Sequence, residues 1–175
     1  MAALPDIVTS ETQLGADFFL KAATTAVRRL CGWHVCPSLT VAGSAPTAGG
    51  RVVRLPLGNV TAVSSLVLAN GEDVTGSAMW TRDGLVELDR DVPASVAGLT
   101  FEAMAGYEPE ECPDVVAVIV QAARRAQSAP AGYVRSQSVN GASVTYGGSE
   151  AGAPSVSLLA SERERLAPYM LSRLP

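Results

Sequence analysis

Apolar residues recur with helical spacing at two places in this chain and with strand spacing in the stretch between them. Over Cys112–Gln127, residues Val115, Val116, Ile119, Ala122, Ala123 and Ala126 fall at the spacing of one helix face. Pro113 suits a first turn and Asp114 the positive end of the helix dipole, while Arg124 and Arg125 occupy the last turn. Val118 and Val120 carry apolar character around the first half, which predicts a central helix buried among other elements. Its β-branched residues allow a strand, but its length and flanks favour a helix, and its apolar run is too short to cross a bilayer. An earlier helix is predicted from about Ala16 to Cys31, with Phe19, Ala22, Ala23, Ala26, Val27 and Leu30 as its apolar stripe and Gly32 as its terminator. The first fifteen residues read as a lead-in. Pro37–Gly50, rich in Ser, Thr, Ala, Pro and Gly, reads as a loop.

Residues 51–106 change period and read as β-structure. Val52–Leu55 and Val60–Val63 are short strands separated by Pro56 and Gly58. Asn70-Gly71 and Asp83-Gly84 each sit between strand-like runs and signal tight hairpin turns. Leu99–Ala103 supplies a last alternating strand. Several short strands with turn signals between them predict an antiparallel sandwich or barrel, inserted into a helical frame.

From Ala129 to Val156 the chain lacks a helical pattern over a length unusual for a compact domain. Ser136–Val139, Asn140-Gly141 and Ala142–Tyr146 form a hairpin pattern whose faces carry too little apolar surface for a core of their own. The preferred reading, over a floppy surface excursion, is an arm ordered by pairing with a neighbouring chain, with Tyr133, Val139, Asn140, Gly141, Val144 and Tyr146 as its interface candidates. A last helix is predicted from Ser161 to about Leu174, with Ser161 and Glu164 at capping-box spacing and Pro168 kinking or splitting it. Leu166, Tyr169, Met170 and Leu174 share one face and are candidates for docking on a partner, the alternative being that the stripe packs on the chain's own central helix.

The fold expected is therefore α+β. A small bundle of three main helices is built from residues 1–50 and 107–175. The β insertion spans 51–106, and a long hairpin arm lies at about 133–147. With 47% hydrophobic residues and only 17% charged, the 175-residue chain can bury a sizeable core, much of it Ala and Val. A net charge of −4 argues against adhesive nucleic-acid binding, which needs a basic face. Three cysteines with no signal-peptide pattern ahead of them point to a reducing cytoplasm.

Candidate chemistry is thin. Cys31, His34 and Cys36 lie close together with Cys112 far behind them, and the spacing is wrong for a zinc pair of Cys-x-x-Cys units. A helix end packing its Trp and Cys inward is the simpler reading. His34 is the only histidine, and no Gly-x-Ser-x-Gly elbow accompanies it. Glu108, Glu110, Glu111 and Asp114 cluster at a helix start, where acidic residues favour the dipole. The glycines lack a phosphate-cradling arrangement. The expectation is no enzyme, no cofactor and no metal.

Four stretches, in order, resemble head-to-tail adaptor proteins of tailed phages, especially those of actinobacterial hosts. AATTAVRRLCGWHVC over Ala22–Cys36 resembles their first helix and following turn, and LPLGNVTAV over Leu55–Val63 resembles the opening of their β-insertion. GYEPEECPD over Gly106–Asp114 resembles the approach to their central helix, and ERERLAPY over Glu162–Tyr169 their last helix. The shortest members are nearly all helical; this chain carries the β-insertion as well. The resemblance implies a non-catalytic virion protein of the neck, assembled in the host cytoplasm. Its copies would form a homo-oligomeric ring, typically a dodecamer, bound on one side to the portal, for which the Leu166, Tyr169, Met170 and Leu174 face is the docking candidate, and on the other to a stopper or tail-completion protein. Genome DNA would pass through without sequence-specific binding, which suits an acidic wall, and no membrane is involved. A stopper or tail-completion role is the alternative within the neck. A β-sandwich ligand-binding module is the alternative outside it.

Overall fold

The computed structural model describes residues 15–128, 136–139, 142–145 and 156–171. Its two long helices are α1 (Ala16–Cys31) and α2 (Pro113–Ser128), each of 16 residues, on the spans their periodicity predicts. Gly32 ends α1 in the left-handed region at φ 83°, where its N–H bonds the Arg28 carbonyl. The helices run antiparallel. Phe19 and Ala23 of α1 meet Ala122, Ala123 and Ala126 of α2, while Val27 and Cys31 meet Val115 and Val118. The small side chains of α2 bring the two backbones close along that seam.

Burial of α2 is one-sided, contrary to the expectation of a helix surrounded by other elements. Val115, Val118, Ala122, Ala123 and Ala126 face inward, and Val116 is 38% exposed. The reason is that α2 has only α1 and the short α3 (Ala160–Leu166) packed against it among the described helices. The expected bundle of three main helices around an inserted sandwich or barrel is thus corrected. Among the described residues the fold is α+β, with one antiparallel helix pair, a seven-residue third helix and two small antiparallel three-stranded sheets that do not close into a barrel, beside a two-stranded one.

The strands are β1 (Leu39–Thr47), β2 (Gly50–Arg54), β3 (Val60–Leu68), β4 (Met79–Trp80), β5 (Leu85–Val92) and β6 (Ser95–Ala105). One sheet has the order β1-β6-β3 and the other β2-β5-β4. Because β1 pairs with β6 and β2 with β5, the sheets are two lengths of one ribbon folded over at Ala48-Gly49 and Pro93-Ala94. The register slips on either side of that fold, and the Thr47 hydroxyl donates to the Pro93 carbonyl at 2.7 Å across it. Both lengths bury a common core that includes Leu55, Val60, Leu66, Val86, Leu99 and Phe101. Closure fails for a simple reason: three strands per sheet, with β4 only two residues long, leave edges on both.

Residues 39–47, expected as loop, form β1. An edge strand satisfies its ladder on one side, and here only Ala45 and Thr47 are buried. Apolar alternation is therefore not required of it, and Pro46 is tolerated beside the register slip. The turns at Asn70-Gly71 and Asp83-Gly84 stand where expected. The Asn70 side chain accepts the Glu72 N–H in the first, and the Gly84 N–H bonds the Thr81 carbonyl in the second.

Strands β7 (Ser136–Val139) and β8 (Ala142–Thr145) form a separate two-stranded sheet. Near the C-terminus, α3 begins at Ala160 and not at the expected Ser161–Glu164 box. The Glu162 carboxylate accepts the Leu159 N–H at 2.8 Å, a one-way cap, since leucine has no side-chain acceptor to return the bond. Pro168 then sits in a 3-10 turn, Ala167–Tyr169, and the backbone is extended at Met170. The single helix expected to about Leu174 is split there, because proline supplies no N–H to continue it.

Candidate functional site

Where the helix pair meets the sheets, the turn after α1 is held from several sides. Val35, a buried β-branched residue, sits in the left-handed region at φ 61°, a conformation that costs about 1–3 kcal/mol. Its neighbours supply the restraint. The Arg28 guanidinium donates to the His34 and Cys36 carbonyls at 3.0 and 2.7 Å, and the Tyr107 N–H bonds the Val35 carbonyl at 2.8 Å. The His34 ring nitrogen Nε2 lies 3.0 Å from the Ala105 carbonyl and donates to it. Asn59 reaches across to the Gly106 carbonyl at 2.6 Å.

Trp33 is the centre of this joint. Its ring packs near Tyr107, which meets Tyr169 edge to face with centroids 5.4 Å apart. The indole N–H donates to the Tyr169 carbonyl at 2.6 Å, and the Tyr169 hydroxyl donates to Asp114 at 2.7 Å. Burial first and the Asp114 carboxylate second push the Tyr169 hydroxyl well above its ordinary range, so it stays a donor at neutral pH. Gly58 lies under the indole, and a Cβ there would stand 2.8 Å from the ring. Gly58→Ala is expected to displace Trp33, shift its fluorescence in a Trp80→Phe background and cost about 1–3 kcal/mol in urea unfolding. An unchanged spectrum and midpoint would remove Trp33 from the joint.

The C-terminal docking candidates belong largely to this joint. Leu166 is fully buried with Val27, Cys31, Val115 and Val118, so its side chain is committed to the chain's own core. Tyr169 is half-buried and tied to Trp33 and Asp114, as above. Met170 is half-buried beside a cleft of about 70 Å³ that Trp33, Arg54, Asn59 and Tyr107 also line. Leu174 lies outside the described residues. Leu171, not anticipated, is a further anchor: its N–H bonds the Cys31 carbonyl at 3.0 Å and its side chain lies over Gly32.

Of the arm candidates, Val139 and Val144 stand in β7 and β8, opposite Ala142 and Gln137 respectively. Tyr133, Asn140, Gly141 and Tyr146 lie outside the described residues. The hairpin register itself is the one the alternating pattern and Asn140-Gly141 predict.

Reactive side chains are dispersed or occupied. Cys31 points into the helical core, where burial pushes its thiol up to about 11. Cys112 is buried too and donates to the Glu108 carbonyl at 3.4 Å. Among the described residues, no three His, Cys, Asp or Glu side chains converge as a metal site would need. Asp114 accepts from Tyr169 and from the Val115 N–H at 3.0 Å, while Glu111 accepts the Glu108 N–H at 2.9 Å. Two of the four carboxylates in the acidic cluster are thus engaged locally.

Sequence reasoning missed two things here. One is the Trp33–Tyr107–Tyr169–Asp114 assembly, whose members lie far apart along the chain. The other is a two-pronged ion pair in which Arg125 of α2 meets both oxygens of Glu162 at 2.9 Å. No capping-box spacing marks that carboxylate's inward turn, because the N-cap residue is Leu159 and carries no polar side chain. Among the described residues, no helix is long and apolar enough to cross a membrane. No protein-family model matches the chain, and no curated protein matches it in sequence.

Proposed function

We propose that this chain is a structural, non-catalytic protein of a tailed-phage neck, an adaptor whose copies form a ring beneath the portal and extend the DNA channel toward the tail. The observation that carries this reading is the separate hairpin. Among the described strands, β7 and β8 pair only with each other. A two-stranded sheet is unstable alone in water, and its open edges are suited to pairing with another chain. A further feature supports assembly. Val52, Glu87 and Met79 share one cross-strand row, with Val52 49% and Met79 68% exposed, so apolar side chains project from the outer face of that sheet.

The test uses portal-bearing heads that lack this protein. Purified chain added to them should appear by electron microscopy as a hollow ring below the portal. On binding, amides of Ser136–Val139 and Ala142–Thr145 should gain protection from hydrogen exchange. Heads that stay bare, with hairpin amides equally protected in free and mixed samples, would overturn the reading. A ring on the tail side only would move the protein to the stopper or tail-completion position.

A further inference from the structure

The two three-stranded sheets have β1 and β3 as the edges of one and β2 and β4 as the edges of the other. Bulges, charges and short length are the devices that keep an edge from recruiting another strand, and three of these edges use them. On β3 the register slips between Val60 and Ala62 and again between Val63 and Ser65. Its far end is also covered, since the Leu66 N–H donates to the Thr75 hydroxyl at 2.8 Å and the Leu68 N–H to the Glu72 carbonyl at 2.9 Å. β2 carries Arg51 and Arg54, and β4 has only two residues. β1 has no such device over Leu39–Ala45. Its register runs unbroken from Leu39 opposite Ala105 to Ala45 opposite Leu99, and Pro46 and the slip come only afterwards. No charged residue occurs from Pro37 to Gly50. Leu39, Thr40, Ala42 and Ser44 are exposed, and among the described residues no strand pairs with the outer side of β1. In an antiparallel ladder every second residue turns its N–H and C=O away from its partner, so this edge offers a row of backbone groups to a further strand.

We propose that the β1 edge is the docking site for the β7–β8 hairpin of a second copy of this chain. The inference rests on the reading of that hairpin as an assembly arm and names the surface that receives it. Each hairpin strand has four residues and pairs only with the other, so each keeps an open edge and is short enough to lie within Leu39–Ala45. Ser136–Thr145 is uncharged, so joining the two edges buries no charge. Both segments are rich in Ser, Thr, Ala and Val, which suits a contact whose affinity comes from main-chain hydrogen bonds. Arm and edge are different surfaces, so the contact is heterologous: each copy gives its arm to one neighbour and receives an arm from another. Pairing of β1 with β1 of a second copy would instead be isologous, would end at a dimer and would leave the hairpin edges open.

Hydrogen exchange is followed in the full-length chain in dilute solution, in concentrated solution and on portal-bearing heads. Amides within Leu39–Ala45 that do not bond β6 are expected to gain protection together with those of the hairpin. Ala42→Lys combined with Ser44→Lys places two charges at exposed positions of the edge. That variant should weaken association roughly tenfold and leave the melting of the free chain unchanged. Rings in which the hairpin gains protection and β1 does not would overturn the β1 assignment and leave the adaptor reading standing. Association in solution through β1 and the hairpin, with heads left bare, would uphold the assignment and overturn the adaptor reading. Protection of β1 without the hairpin would show β1–β1 pairing and overturn the assignment. A chain that stays monomeric in concentrated solution and leaves heads bare would overturn both. The wild-type exchange pattern decides even if the variant fails to fold.

Discussion

Leu166→Ala is expected to lower the unfolding free energy by about 2–5 kcal/mol, the range for emptying a buried leucine site. Leu166 is fully buried between α1 and α2, and α3 is only seven residues long. So short a helix has no stability of its own in water. It exists because Leu166, Tyr169 and Leu171 dock on the pair of long helices. Loss of Leu166 should therefore release α3 as a unit, and hydrogen exchange at Arg163–Leu166 should rise together with the drop in global stability. The matching measurement is urea unfolding followed by circular dichroism. A variant with an unchanged midpoint would show that the segment is a detachable anchor and no part of the core. The two roles are compatible along different faces: Leu159 is half exposed, and the outer face of α3 carries Arg163, Glu164 and Arg165.

The second large effect is expected at Arg125 and Glu162. The Glu162 side chain is only 5% exposed, and its oxygens receive two bonds from Arg125 and one from the Leu159 N–H. Arg125→Ala strands a buried carboxylate, at a cost of about 3 kcal/mol, the low end for breaking such a pair because Arg125 itself is 39% exposed. Arg125→Met with Glu162→Gln should recover most of that loss, since no charge is then left buried. The same pair sets a pH dependence. Burial pushes the Glu162 carboxyl up, but the Arg125 hydrogen bonds, the Leu159 N–H and the Arg125 charge outweigh it and hold the carboxyl below its ordinary 4.5. A carboxyl that is lower in the folded state contributes stability that is complete above its unfolded value and is lost as pH falls through its folded value. Wild-type stability should therefore fall below about pH 4.5 more steeply than that of the double variant. Parallel acid profiles for the two proteins would refute the assignment.

These two sites mark what was and was not legible in the sequence. The long helices were legible because each carries an apolar stripe over four turns, with a glycine stop in one and a proline start in the other. Most strands were legible from alternation and from Asn-Gly and Asp-Gly turns. β1 was not, because an edge strand with only two buried side chains leaves no hydrophobic period to detect. The stripe of Leu166 and Tyr169 was legible as a stripe, but periodicity fixes only that a face is buried, not against what. Its host surface is made by Val27, Cys31, Val115 and Val118, which come together only in three dimensions. The same limit hid the aromatic joint, since Trp33, Tyr107, Asp114 and Tyr169 are each unremarkable in their own segments. For the hairpin, Asn140-Gly141 and the flanking alternation were sufficient to set its register.

The folded ribbon has a consequence for the order of events as the chain folds. Leu39 pairs with Ala105, and Ala105 in turn with Val60, so the sheets begin and end at one point beside the helices. Until β1 and β6 are joined, α1 and α2 are the ends of a long slack loop, and packing Val27 on Val115 bears the full entropy of closing it. Once the ribbon zips, that loop shrinks to the few residues at its base. The local turns at Asn70-Gly71 and Asp83-Gly84 are thus the natural first contacts, the β1–β6 ladder the slow long-range one, and the helix pair the late arrival. Substitutions in that ladder should slow refolding, whereas loss of Leu166 should leave refolding nearly unchanged and hasten unfolding.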